Sequence, residues 1–517
     1  MLPVTMTMAG LLAEVEGRWG DDPAIEDGGR RWTFREVRAQ TRAVSRALIA
    51  DGLASGDRIA IWAPNCAEWI LLASGAQQIG VAIVPLNTRY KGQEAADIIR
   101  RSNAKRLFTV RNFLGLDLAG MLAGQQIPEL GETVFLDSGF EAWLERGRGI
   151  GEAELDDRSA AVDPDTIADI LYTSGTTGRP KGVMAGQGQT LQTCEAWCDA
   201  TGVHAGDRYL IVNPFFHSFG YKAGWLACLL RGAIALPAAV FDPGAVLARI
   251  EAERVTVLPG PPTIYLSLLE HPDRARRDLS SLRLAVTGAA SVPPVLIRRI
   301  RDELGFRHVL TAYGLTEACG TVTSTHPGDP PELIAVSCGA PIPGVEIRVI
   351  DDRGHDVEQD QPGELLVRGF NVMKGYLDDP DATTQAIDAQ GWLHTGDIVT
   401  RDGTGYIRIT GRLKDMFISG GFNCYPAEIE AMIMEHPDIA RVAIVGVPDE
   451  RMGEVASAHV VLKDGAEMDQ NHFIAWCRGR MANFKVPRSV SVVAELPTNA
   501  SGKVLHHLLR EGGAKRQ

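Results

Sequence analysis

Tyr172–Thr173–Ser174–Gly175–Thr176–Thr177–Gly178–Arg179–Pro180–Lys181–Gly182 is a glycine- and threonine-rich loop entered from a strand-like run, Thr166 to Tyr172. Gly175 and Gly178 allow tight backbone turns. Ser174 and the threonines supply hydroxyl donors, and successive N–H groups can form a nest for phosphate oxygens. Lys181 adds a positive charge. The string does not match G-x-x-x-x-G-K-[ST], so it is not a Walker A loop. A polar surface loop would need some of these residue types, but not this ordered string of them.

On either side, apolar β-branched runs alternate with helical patterns. Arg58 to Trp62, Val81 to Pro85, Val255 to Pro259 and Leu282 to Thr287 read as buried strands, and Phe34 to Asp51 as an amphipathic helix. Trp69 to Leu86 is broken by Gln77, Gln78 and two glycines. It reads as a buried helix running into a strand, because a membrane span needs about 20 mostly apolar residues. This βα alternation predicts an α/β fold: a large N-terminal domain with mainly parallel sheets covered by helices. The character changes after Gly411. Pro426 opens a helix with Ile429, Met432 and Ile433 on one face, and strands follow at Arg441 to Val447 and Ala458 to Leu462. Proline suits a first helical position. We therefore divide the chain into residues 1–411 and a small α+β domain, 412–517.

Composition narrows the class. The chain has 517 residues, 45% hydrophobic and 23% charged, as in ordinary globular proteins. Its formal charge of −13, from 52 basic and 65 acidic residues, argues against a nucleic-acid partner, which needs a basic surface. The eight cysteines form no C-x-x-C pair. Cys194 and Cys198 are a helical turn apart with no partner pair at zinc spacing. The first twelve residues lack a signal-peptide pattern. A cytoplasmic protein with reduced thiols is expected. The oligomeric state stays open, with a homodimer allowed.

The eleven-residue string resembles the phosphate loop of the adenylate-forming enzymes, a superfamily that includes acyl-CoA synthetases, luciferases and peptide-synthetase adenylation domains. Further motifs follow in that family's order. They are Pro214–Phe215–Phe216–His217, Gly288–Ala289–Ala290, Tyr313–Gly314–Leu315–Thr316–Glu317 and Gly363–Glu364–Leu365. Gly391–Trp392–Leu393–His394–Thr395–Gly396–Asp397, Gly411–Arg412 with Lys414–Asp415, and Pro497 to Lys503 complete the series.

The resemblance implies ATP, Mg²⁺ and coenzyme A acting on a small-molecule carboxylic acid. A carboxylate is a poor electrophile. Attack on the α-phosphorus of ATP makes an acyl adenylate, and a thiol then displaces AMP. Two anions meet in the first step, so positioning and charge neutralisation dominate. On position alone Lys503 would be an exposed surface lysine. The resemblance instead implies that it offsets charge on the carboxylate and α-phosphate. It further implies Thr316 on the α-phosphate and Glu317 as Mg²⁺ ligand, since Mg²⁺ takes oxygen donors and phosphates. Asp397 and Arg412 would hold the ribose. Tyr313 would stack on adenine beside Gly314, with Gly288, Ala289 and Ala290 as the opposite wall. Thr173, Ser174, Gly175, Thr176, Thr177, Gly178 and Lys181 would cradle the phosphates. His217 would stand where the acyl pocket meets the thiol tunnel. Lys414 would be the hinge on which the small domain swings, bringing first Lys503 and then Ser419, Gly420 and Gly421 to the site.

The substrate class is narrower still. Amino-acid-activating relatives carry an Asp where this chain reads His217–Ser218–Phe219–Gly220–Tyr221. A buried ammonium would need that partner. Only a short tail follows Lys503, so free CoA is expected rather than a fused carrier. Asn213 to Leu230 and Leu258 to Pro272 resemble ligases that activate the bicyclic propionate left by steroid-ring breakdown. A medium- or long-chain fatty acyl-CoA ligase and an acyl-AMP ligase loading a separate carrier are the alternatives. Gln187 stands where relatives often have His, and Phe422 and Cys424 replace commoner Glu and Ile.

Overall fold

The computed structural model describes residues 6–173, 180–288, 292, 294–419, 422–498 and 504–513. The strands that flank the glycine- and threonine-rich string belong to a seven-stranded sheet. In spatial order its strands are Gly375–Tyr376, Lys181–Gly186, Ile167–Thr173, Ala82–Pro85, Arg58–Trp62, Arg106–Thr109 and Thr133–Phe135. From Ile167–Thr173 to Thr133–Phe135 every pairing is parallel. The last two strands on the other side pair antiparallel. The helix Phe34–Ala50 begins with a reciprocal cap, in which Thr33 and Glu36 each accept the other's backbone N–H. Its apolar face (Phe34, Val37, Val44, Leu48) is buried. The run from Trp69 becomes the buried helix Ala67–Gln78 and the strand Ala82–Pro85, as its interruptions predict.

Two four-stranded sheets complete the inner layers, one of Arg30–Thr33, Pro23–Asp27, Ile234–Pro237 and Arg208–Ile211, the other of Leu284–Gly288, His308–Tyr313, Thr323–Ser324 and Ala340–Pro341. Here one expectation fails. Val255 to Pro259 is not a regular strand. Val257 bridges Tyr209 and Leu284, and Gly260 bridges Thr287, so the segment joins the two sheets by single contacts. Pro259, Pro261 and Pro262 lack the N–H donors that a continuous ladder needs. The expected parallel pairing is also only part of the large domain. Val345–Ile350, Gly363–Gly369, Leu393–Arg401 and Ile407–Arg412 form a wholly antiparallel sheet.

The small domain has its own sheet, Phe422–Cys424, Phe417–Ser419, Gly453–Leu462 and Ile439–Asp449, with Ser489–Val492 pairing parallel to Gly453–Leu462. Its separate core holds Phe417, Ile429, Ile433, Ile444, Val460 and Phe473. In the helix Pro426–Ile433, Ile429 and Ile433 are fully buried, one turn apart, while Met432 lies on the flank and is half-buried. The eight cysteines are all unpaired. Among the described residues no helix is long and apolar enough to cross a membrane.

Candidate active site

The strands Ile167–Thr173 and Lys181–Gly186, which flank the glycine- and threonine-rich string, pair antiparallel. Thr173 pairs opposite Lys181 at the end of the pair, and Ser174, Gly175, Thr176, Thr177 and Gly178 lie outside the described residues. Thr173 donates its hydroxyl to Glu317 Oε1 at 3.5 Å, and Tyr376 donates to the same oxygen at 3.1 Å. The Lys181 ammonium stands 4.9 Å from the centre of the Tyr376 ring. Four residues from three separate stretches of sequence therefore meet at the end of this strand pair. Burial, and then the Glu317 carboxylate, push the Tyr376 hydroxyl well above its ordinary pKa, so it stays a donor. Tyr376 carried no motif, but it is fixed by the short strand beside Lys181–Gly186.

Glu317 rides on a tight turn after the strand His308–Tyr313. Its carbonyl accepts the Met373 N–H at 2.8 Å. Gly314 is required by packing, because a Cβ there would lie 2.0 Å from the Gly320 carbonyl oxygen. Thr316, at the head of the turn, is half-buried. Gly288 pairs with Ala312, and a Cβ on it would lie 2.4 Å from the Ala312 carbonyl oxygen. Ala289 and Ala290 lie outside the described residues.

Asp397 is almost fully buried and sits directly across the antiparallel pair from Arg412. Arg412 Nε is 2.9 Å from Asp397 Oδ1, and the Tyr313 hydroxyl donates to Oδ2 at 2.6 Å. Burial and the Asp397 carboxylate hold the Tyr313 proton in place. The neighbouring motif explains the rest. Glu364 accepts the Gly396 N–H at 3.1 Å and lies 3.0 Å from His394 Nδ1, while Thr395 donates to the Leu365 carbonyl at 2.7 Å. Gly363–Glu364–Leu365 is thus the support for the loop that presents Asp397. A carboxylate has about four acceptor sites, so Tyr313 and Arg412 leave room for further donors.

His217 caps a short helical turn, its Nδ1 accepting the Phe219 N–H at 3.2 Å. The ring is half-buried and enclosed, and that burial lowers its pKa, so it is neutral. Asn65 fixes the preceding turn. Its amide donates to the carbonyls of Ile211 and Asn213, at 3.2 and 2.9 Å, and its oxygen accepts the Phe215 N–H at 2.8 Å. A buried polar chain lies below. Gln187 accepts the Met8 N–H at 2.8 Å and donates to the Gln77 carbonyl at 2.7 Å. Gln77 donates to the Tyr221 hydroxyl at 2.6 Å. Next to Tyr221, Lys222 pairs with Asp169 at 3.1 Å. Asn65, Asp169 and Lys222 were not expected from motifs. The one signal was an isolated charge inside each of two apolar runs, Ile167–Thr173 and Tyr221–Leu230.

In the small domain, the Ser419 side chain is buried, and Ser419 pairs with Phe422 and Gly453. Gly420, Gly421 and Lys503 lie outside the described residues. Phe422 is exposed and stacks on Phe484 with 4.6 Å between ring centres. Lys414 follows Leu413, whose N–H donates to the Gly396 carbonyl at 2.8 Å. Arg510 donates to the carbonyls of Lys414 and Asp415, at 3.5 and 3.0 Å.

A strand pair beside the Glu317 carboxylate, and a buried Asp397 across from Arg412, thus stand on a two-domain α/β frame. The chain belongs to the AMP-binding enzyme family, which matches residues 12–377, with that family's C-terminal domain over 428–503. Within it the chain stands among the acid–CoA ligases, which work through an acyl adenylate. It is 46% identical over 518 residues to a ligase of Rhodococcus jostii (strain RHA1), covering 98% of each protein. That relative is named 3-[(3aS,4S,7aS)-7a-methyl-1,5-dioxo-octahydro-1H-inden-4-yl]propanoyl:CoA ligase. A Mycobacterium tuberculosis ligase of the same name is 49% identical over 498 residues, covering 95% of this chain and 96% of that one. A solved anthranilate CoA ligase in complex with anthranoyl-AMP superimposes with a TM-score of 0.89 at 27% identity, over 99% of this chain and 98% of that one.

Proposed function

We propose that this ligase activates a bicyclic ring propionate bearing ketone oxygens and passes it to CoA. The observation that carries the reading is the identity, 46% and 49% over nearly the whole chain, to two ligases named for that acid. The carboxylate oxygen attacks the α-phosphorus and pyrophosphate leaves. The thiolate sulfur of CoA then attacks the acyl carbonyl and AMP leaves. We assign Asp397 and Arg412 to the ribose, Tyr313 to adenine, and Thr173, Lys181 and Thr316 to the phosphates. Support for the ribose role is the pairing of Asp397 and Arg412 across one strand pair. Glu317 suits Mg²⁺, which would offset phosphate charge. Its neighbours, Thr173 and Tyr376, offer only oxygen, and Mg²⁺ takes its remaining ligands from phosphates and water.

In the same reading Lys503 neutralises charge in the first step and His217 gates the thiol tunnel as a neutral ring. The boundary falls at 411/412 with Lys414 as hinge. The Arg510 contacts to the Lys414 and Asp415 carbonyls would have to adjust in any rotation there. The test is AMP release with MgATP, CoA and a panel of the bicyclic dioxo-propionate, octanoate, palmitate and benzoate. Preference for the bicyclic acid, abolished in Lys503→Ala, is expected. Preference for a linear acid would overturn the ring reading. Pyrophosphate release without thioester would overturn the CoA acceptor.

A further inference from the structure

The least ordinary residue of the acyl half is Lys222. It is the second residue of a π-helical segment, Tyr221–Leu226, in which it is the one charged side chain. A buried ammonium is strongly penalised unless paired. Asp169 supplies the pair at 3.1 Å, with the two side chains 4% and 1% exposed. Thr190 donates to the other Asp169 oxygen at 3.3 Å, which fixes the carboxylate. The ammonium has three N–H donors. Among the described residues, its ion-pair partner is Asp169, and it also stands 5.6 Å from the centre of the Tyr221 ring.

Its position is as telling as its charge. From Tyr221 to Cys228, Tyr221, Trp225, Leu226, Ala227 and Cys228 are closed to solvent, while Lys222 and Ala223 keep 3% and 7% exposure. Of the side chains named, Lys222 and Ala223 are thus the two that keep a trace of accessible surface. Gly224 breaks the helical path there, with φ −111° and ψ −108°. π-Helical segments are frequent at functional sites. The segment follows the turn capped by His217, and that turn abuts the one carrying Glu317: a Cβ on Gly320 would lie 2.9 Å from the Ser218 Cβ. The charge pair thus stands between the strand leading to Thr173, the His217 turn and the Glu317 turn.

We propose that Lys222 is a specificity-determining residue that donates a hydrogen bond to a ring ketone oxygen of the acid, with Asp169 holding the ammonium in place. This rests on the ring-propionate reading above. A ketone only accepts hydrogen bonds, and a neutral ring system offers no charge to recognise. A donor kept dry and pre-oriented is the group that separates a ketone-bearing ring from a bare one, because loss of the acceptor leaves the donor unpaired.

The experiment compares kcat/KM for the bicyclic dioxo-propionate with that for the same ring propionate lacking both ketone oxygens. It uses the full chain, Lys222→Met, and Lys222→Met/Asp169→Asn. The wild-type ratio favours the dione. In Lys222→Met that ratio falls by about 30-fold, as expected for loss of a hydrogen bond from a charged group. The double variant removes both charges together, so it carries the test if the single variant does not fold. Equal losses for both acids, leaving the ratio unchanged, would make the pair a structural element and overturn the assignment. A wild-type ratio near one would do the same. If the wild type activates neither bicyclic acid, the ring reading itself fails and this assignment goes with it.

Discussion

The two halves of the proposed site, nucleotide and acyl, are built in different ways. In the first, functional side chains stand at strand ends and on short turns, and their supports lie within the same motifs. Glu364 steadies the loop that holds Asp397, and Arg412 faces it across one pair of strands. In the second, the residues that matter meet inside the protein from distant segments. Gln77, Asp169, Gln187, Tyr221 and Lys222 come from two helices, a strand and a π-helical segment. The contrast follows from the ligands. The nucleotide offers fixed charges and hydroxyls, which a fixed set of short loops can meet. The acid differs from one enzyme to the next, and its pocket is shaped by packing and a few buried polar groups.

The largest effect should come from closing the gap that the nucleotide half needs. In Gly314→Ala the new Cβ would lie 2.0 Å from the Gly320 carbonyl oxygen, so the Thr316–Glu317 turn must move. A displacement of about 1 Å at a reacting group is worth roughly 100-fold. We expect kcat/KM for ATP to fall by about that factor in a pyrophosphate-release assay, with the preference among acids retained. A change in acid preference of similar size would erase the division between the halves.

Asp397→Asn comes next. It keeps shape but removes the charge that faces Arg412 at 2.9 Å and accepts from Tyr313 at 2.6 Å. Losing a charge-assisted bond costs about 2 kcal/mol, or roughly 30-fold in KM for ATP. Steady-state titration of ATP at saturating acid and CoA measures it. An unchanged KM would remove Asp397 from the ribose assignment.

These two predictions fall where the sequence was most readable. The phosphate string, Glu317, Asp397 and Arg412 could be singled out through the resemblance to a family's ordered motifs, and the structure brings Asp397 to Arg412 and Glu317 to Thr173. The alternating helices and strands were legible from apolar periodicity. Val255 to Pro259 was misread because its β-branched residues look like a strand, while the prolines beyond Leu258 remove the donors that would extend one. The antiparallel sheet behind Asp397 went unseen because its strands are half-exposed and lack continuous apolar runs. The Asp169–Lys222 pair was hidden for a third reason. Its members are far apart in sequence, and only folding shows that two isolated charges satisfy each other.

The acyl-side support can be tested without touching chemistry. Gln187→Leu keeps volume but strands the Met8 N–H and the Gln77 carbonyl, both bonded to Gln187 in the buried interior. Unpaired buried groups of this kind cost about 1–3 kcal/mol. Denaturant unfolding of the full chain should show a loss in that range, with KM for ATP little changed. A rise in KM for ATP as large as that of Asp397→Asn would mean that the buried chain also sets the nucleotide half.

The smallest effect concerns His217 and pH. Burial lowers its pKa below the ordinary value near 6.5, so as pH falls the unfolded chain takes up the proton first. The unfolded state then binds more protons, and stability drops. The contribution is therefore whole above the ordinary histidine pKa and is lost progressively as pH falls through and below it. His308 and His459 are shifted the same way by burial, so the wild type should lose stability from about pH 7.5 to 5.5 through several rings. His217→Asn should remove only its share, so its stability falls less steeply toward acid pH than the wild type's, with nothing at the neutral end beyond a constant offset. Unfolding curves at several pH values for both proteins measure this. Parallel pH profiles would mean that His217 is as solvated as an ordinary surface histidine, and its role as a neutral gate would fail with it.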